Sequence, residues 1–170
     1  MMNHLKKITL LSTLTLALLS GCFSKKNNEA QNAPASPTTP TAPATPAEPK
    51  EEVAGSKLND FFPKDEGDYD VVFTQEKEGT SQAKLKQGGK ELAMLTIADI
   101  TNDSRAKGDF ASAAGKLNGY PVVAKGSKGT AVLVADRFQV QVRSIDNSFD
   151  EAMRRQWLQK FNLSGLAGMR

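Results

Sequence analysis

The chain has 170 residues, a formal net charge of +3 and a pI near 9, with 24% charged and 6% aromatic residues. It holds one cysteine, Cys22, and one histidine, His4, both near the N-terminus. From residue 57 onward there is neither, which excludes Ser-His-Asp and Cys-His nucleophilic chemistry and His/Cys zinc sites from that part of the chain. The same stretch carries 17 Lys or Arg against 15 Asp or Glu. Both signs are dispersed, whereas a nucleic-acid binder clusters its cations on one face, so no nucleic-acid partner is expected.

The first 21 residues read as a signal peptide. Lys6 and Lys7 form a positive opening, and Ile8 to Leu19 is an apolar run of 12 residues. That suits a secretory h-region and falls short of the roughly 20 residues needed to span a bilayer. The run ends in Leu19-Ser20-Gly21-Cys22, which resembles the lipobox of bacterial lipoproteins. The resemblance implies cleavage before Cys22 by signal peptidase II and acylation of its sulfur. Cys22 is then the lipidation site and first mature residue, attached by acyl chains such as palmitate. Two or more chains hold a protein stably at a membrane, where one is marginal. In such lipoproteins Asp directly after the cysteine favours inner-membrane retention. Phe23 stands there, so the expected location is the cell envelope, at the outer membrane facing the periplasm in a diderm host.

Residues 22–56 read as a tether. Seven of the eight prolines lie between Pro34 and Pro63, mixed with Ala, Thr and Ser, a composition that cannot bury enough apolar surface to offset ordering entropy. Repeated proline favours extended polyproline II, so about thirty residues could reach on the order of 100 Å. Its Thr and Ser residues are candidate O-glycosylation sites, and its Pro-x-x-Pro spacing a weak candidate for recognition by a proline-binding partner.

Residues 57–170 read as one α+β domain: an antiparallel sheet of five or six strands with a C-terminal amphipathic helix packed on it. YDVVFTQEKE at 69–78 alternates Val71 and Phe73, and SQAKLKQ alternates Ala83 and Leu85. Gly88-Gly89 supplies the positive φ of a two-residue hairpin turn. ELAMLTIADI at 91–100 is apolar on both faces and predicts a central strand covered on both sides, with a helix as the competing reading. Asp109 is expected to cap a short helix carrying Phe110, Ala113, Ala114 and Leu117. YPVVAKG is a strand, Gly126 to Gly129 a turn, and TAVLVADRFQVQVRS either one long strand or a hairpin turning at Ala135-Asp136; the hairpin is preferred. Ser148 and Glu151 have capping-box spacing. Phe149, Met153, Trp157 and Phe161 follow at steps of four as the stripe of the last helix. Asn162 is its stop, and Leu163, Leu166 and Met169 form a final turn.

Few motifs carry chemistry. Asp99 to Asp109 is oxygen-rich, but an EF-hand counted from Asp99 would need Gly where Ser104 stands and a bidentate acid where Phe110 stands. Gly89-Lys90 is followed by Glu91 and Gly115-Lys116 by Leu117, so no phosphate-binding loop is present. No metal or cofactor is expected. Arg137 and Tyr120 are the polar residues placed to line a site, although an exposed strand-end charge and a turn-packing aromatic account for them better. The expected function is that of a membrane-anchored, non-enzymatic binding module for another envelope component. The alternatives are a carrier or sensor of a small apolar or lipidic ligand held between sheet and helix, and a hydrolase using Asp, Glu or Lys.

Overall fold

The computed structural model describes residues 48–169. The lipobox residues Leu19, Ser20, Gly21 and Cys22, the signal segment 1–21 and most of the tether lie outside the described residues. No helix among the described residues is long and apolar enough to cross a membrane.

The fold is α+β: one seven-stranded, fully antiparallel open sheet with short helices packed on it. Strands β1 (Tyr69–Lys77), β2 (Thr80–Gln87) and β3 (Lys90–Asp99) form a meander. Gly88 and Gly89, at φ +54° and +83°, make its second turn, a backbone that residues with a Cβ adopt reluctantly. Helix α2 (Ser104–Gly108) follows, then β4 (Gly115–Leu117), β5 (Tyr120–Lys125), β6 (Gly129–Val134) and β7 (Phe138–Ser144). The chain closes with α3 (Glu151–Gln159) and α4 (Leu163–Ala167). Because β7 inserts beside β3, the spatial order is β1-β2-β3-β7-β6-β5-β4.

Register puts one side chain from each strand on the same face, row by row. Ala83 lies opposite Leu95, Leu95 opposite Val142, and Val140 opposite Val132. This face meets Phe149, Trp157, Leu158, Phe161, Leu163 and Leu166 from the C-terminal segment, and Leu58 from helix α1 (Gly55–Leu58), in the main core. Ile100, Phe110, Ala131 and Leu133 form a second, smaller cluster. The opposite face of β3 is therefore half-buried at Met94 and Thr96 rather than fully covered. Strict alternation from Met94 would put Leu92 on that second face as well. A bulge shifts the register so that Leu85 faces Ala93 and Lys86 faces Glu91, and Leu92 joins the main core, 5% exposed.

Three local expectations are corrected. The short helix lies earlier than expected: Asp103, not Asp109, caps it by accepting the Ala106 N–H at 2.8 Å. Asp109 follows its C-terminal end and binds Lys125, while Gly115 to Leu117 pair as β4 with β5 through a turn at Asn118-Gly119. The cap of α3 is Asp150, accepting the Met153 N–H at 2.9 Å. Ser148 is drawn away by Asp146, whose Oδ1 accepts its N–H at 2.8 Å and its hydroxyl at 2.5 Å. Asn162 does not stop the preceding helix, which ends at Gln159 with Lys160 at its C-cap; it starts α4 instead, by accepting the Gly165 N–H. The turn at Ala135-Asp136 is present, with both residues at φ +51° and the Arg137 N–H bonded to the Val134 carbonyl at 3.1 Å.

Residues 50–56, tether by composition, are built into the domain. Lys50 exchanges hydrogen bonds with Asn102 (2.9 and 2.8 Å), the Val53 N–H meets Asp99 at 3.0 Å, and the Gly79 N–H meets the Val53 carbonyl at 2.8 Å. This lead-in reaches the sheet at the end bearing Gly79, Asp99 and the β6–β7 turn. A strand of eight to ten residues is on the order of 30 Å long, which separates that end from the other, marked by Tyr69, Gln87, Lys128 and Ser144.

A candidate binding groove

At the end remote from the lead-in, the start of β1 and the outer side of α3 enclose a groove of about 580 Å³, within the range of small-ligand sites. Its floor is aromatic. The rings of Tyr69 and Trp157 lie 5.2 Å apart at 57°, and the Lys160 ammonium sits 5.4 Å from the Trp157 ring centre. Trp157 is held rigidly because most of its ring belongs to the core, leaving it 4% exposed. Met153 adds an apolar wall.

The rim is polar. Gln87 comes from the end of β2, Gln156 and Gln159 from α3, and Glu66 and Asp68 from the turn before β1. Lys160 pairs with Glu66 across the opening. Three carboxamides give donors and acceptors together, and with Lys160 and Glu66 paired the Asp68 carboxylate is the one charge left beside them. Such a lining complements a partner with an apolar or ring face and amide or hydroxyl groups, such as a peptide segment or a glycan. Its residues are brought together from positions some ninety apart in the chain, so no local motif marks them. Only Trp157 and Met153 stood out in sequence, as core stripe residues, and both do serve the core.

The residues singled out beforehand lie elsewhere. Arg137 donates from Nε (3.1 Å) and Nη2 (2.8 Å) to Asp99 Oδ2, and from Nη2 to the Glu51 carbonyl at 3.2 Å. Asp99, its side chain fully buried, also accepts the Val53 and Thr101 N–H groups. Arg137 is thus part of the lead-in latch. Tyr120 packs on the main core with its hydroxyl 3.5 Å from the Leu163 carbonyl. Neither reaches the groove, and they do not meet each other.

The oxygen-rich stretch is spent on structure. Asp99 serves the latch, Asp103 a helix cap and Asp109 an ion pair, and no group of three candidate metal ligands occurs among the described residues. Three carboxylates are pulled below the usual range: Glu91 by its hydrogen bond to Lys84, Asp109 by Lys125, and Asp146 by Lys90 and then Ser148. Each is an exposed lysine pair, an arrangement that favours the ionised form. The space expected for an apolar ligand, beneath Phe149, Met153 and Trp157, is occupied by Val132, Val140, Val142 and Leu158, all fully buried.

Comparison of the chain with protein families, curated proteins and solved structures yields no match.

Proposed function

We propose that the chain is an envelope lipoprotein, anchored through Cys22, whose tethered domain binds another envelope component in the Tyr69–Trp157 groove. One observation carries this reading: the domain is polar along its strands. The lead-in from the tether is latched at one end, through Asp99, Arg137 and Asn102, and the groove opens at the other. The filled space under α3 weighs against the apolar-carrier alternative, since a carrier needs a vacancy for its ligand. Against the hydrolase alternative, Glu91, Asp109 and Asp146 each pair with a different lysine and not with one another.

Site-specific photo-crosslinking in intact cells tests the binding reading. A photoreactive residue at Gln156, in the groove, is expected to trap a discrete adduct, and one at Glu78, at the latched end, is not. Equal labelling from both positions, or none from Gln156, would remove the groove as the binding surface. The anchor is tested separately: Cys22→Ser should abolish incorporation of labelled palmitate and release the protein from membranes, and retention of label would refute it.

A further inference from the structure

Arg154, on α3, is 6% exposed and has no carboxylate partner. Its Nε donates to Thr130 Oγ1 at 3.0 Å, its Nη1 to Ser144 Oγ at 2.9 Å, and its Nη2 to the Ser127 carbonyl at 3.5 Å. All three acceptors are neutral. Among the described residues, none of the ion pairs includes Arg154. Buried charges are ordinarily paired, because desolvation without a counter-charge is costly. A guanidinium has five N–H donors in a planar fork, and only three have acceptors here.

Arg154 lines a pocket of about 380 Å³ between the β5–β6 turn and the start of α3. A second cation, Lys128, lines the same pocket, and its ammonium also has only a neutral partner, Asn147 Oδ1 at 2.9 Å. Three acids stand at the rim, and each is engaged elsewhere. Asp146 is held by Lys90 at 2.6 Å and by Ser148, Asp150 caps α3, and Glu151 binds Arg155 at 2.9 Å. Asp146 and Glu151 are neutralised by Lys90 and Arg155, so Arg154 and Lys128 face only the Asp150 carboxylate, which leaves a surplus of one positive charge.

We infer that this pocket receives a carboxylate of a ligand, with Arg154 supplying its unspent N–H donors and Lys128 a point charge. A planar carboxylate matches the guanidinium fork. A singly charged group matches the one surplus positive charge of the pocket, which a dianion such as phosphate would exceed. The site uses the N-terminal half of α3 and stands whether or not the Tyr69–Trp157 groove is occupied.

The test titrates the full-length, isotopically labelled chain with N-acetylalaninate and, in parallel, with its uncharged amide, following backbone amide resonances. The carboxylate is expected to give saturable shifts at Ser127, Lys128 and Asn147, weakened by added salt, and the amide none. Lys128→Gln should weaken carboxylate binding about three- to tenfold. Arg154→Lys, which keeps the charge and loses the fork, should weaken it further. If Arg154→Lys does not fold, Lys128→Gln and the amide control still decide. Matching responses to carboxylate and amide, no saturable shift, or unchanged affinity in Lys128→Gln would overturn the assignment. Tighter binding of inorganic phosphate would overturn its carboxylate selectivity.

Discussion

Asp99→Ala is expected to destabilise the domain by about 3 to 5 kcal/mol, the range for removing one partner of a buried ion pair. The carboxylate is fully buried and accepts four hydrogen bonds, from Val53 N, Thr101 N, and Arg137 Nε and Nη2 at 2.8 to 3.1 Å. Each bond to a charged group contributes about 1.5 to 3 kcal/mol in isolation. They share one carboxylate, so their losses do not add, and Arg137, 23% exposed, recovers some hydration. The lower half of the range is therefore expected. Asp99→Asn keeps the shape and one acceptor oxygen, and should cost about half as much. Urea denaturation of both variants and of Asp99→Ala/Arg137→Ala supplies a double-mutant cycle, with a coupling of about 1 to 3 kcal/mol. Hydrogen exchange adds a local readout: the Val53 amide should lose protection under conditions where β7 amides keep theirs. A loss below about 0.5 kcal/mol for Asp99→Ala, or a coupling near zero, would refute the view that this pair fastens the lead-in to the sheet.

Ala135→Asn combined with Asp136→Gly should raise the thermal midpoint by several degrees. Both residues sit at φ +51°, where Ala incurs about 1 kcal/mol that Asn and Gly avoid; an unchanged or lower midpoint by calorimetry contradicts this. Gly55→Ala should destabilise measurably in urea, because the added methyl would collide with the Lys77 and Thr80 carbonyl oxygens, which are backbone atoms unable to step aside. Trp157→Ala should cost about 3 to 5 kcal/mol by the same assay, as for other buried aromatics. The Asp146 carboxyl is held below its ordinary value of 3.8 by Lys90 and Ser148. A depressed folded pKa gives stability that is full above the unfolded value and is lost as pH falls through the folded one. Lys90→Met should therefore flatten the acid limb of the stability profile below about pH 4; an unaltered limb would show the pair to be inert.

The sheet was legible where alternation and turn chemistry agreed. Val71 and Phe73, Ala83 and Leu85, and Val140 and Val142 each repeat at two residues, and Gly88-Gly89 fixes the register between β2 and β3. The failures have local causes. Asn118-Gly119 is a strong hairpin signal, yet β4 has only three residues, too few to show a period, and Ala113 and Ala114 suggested helix instead. Two candidate capping side chains are offered for each helix. Asp103 precedes Asp109 and Asp150 follows Ser148, and the choice depends on whether Lys125 or Asp146 engages the losing side chain. Nothing in a sequence reports that pairing. The groove was invisible for the same reason, since Tyr69 and Gln87 lie on the β1–β2 side of the sheet and meet Gln156 and Trp157 of α3, which packs on β6 and β7, only in the folded chain.

The placement of charge follows the same polarity as the chain. At the latched end, Asp99, the one buried carboxylate among the described residues, has Arg137 as its counter-ion. At the far end, Arg154, the one buried guanidinium among the described residues, is left with hydroxyls and a carbonyl. Thr130 and Ser144 stand on the core face of their strands, where apolar residues fill the neighbouring rows. Thr130 accepts from the arginine, and Ser144 both accepts from it and donates to the Phe149 carbonyl. A methionine at 154 with valines at 130 and 144 would satisfy the core without any buried charge, and such swaps are often neutral or stabilising. That triple substitution separates the two accounts of Arg154. If it preserves or raises stability while abolishing the response to N-acetylalaninate, the guanidinium is kept for its ligand. If stability collapses with conservative apolar packing, the arginine is a structural strut joining α3 to the β5–β6 turn.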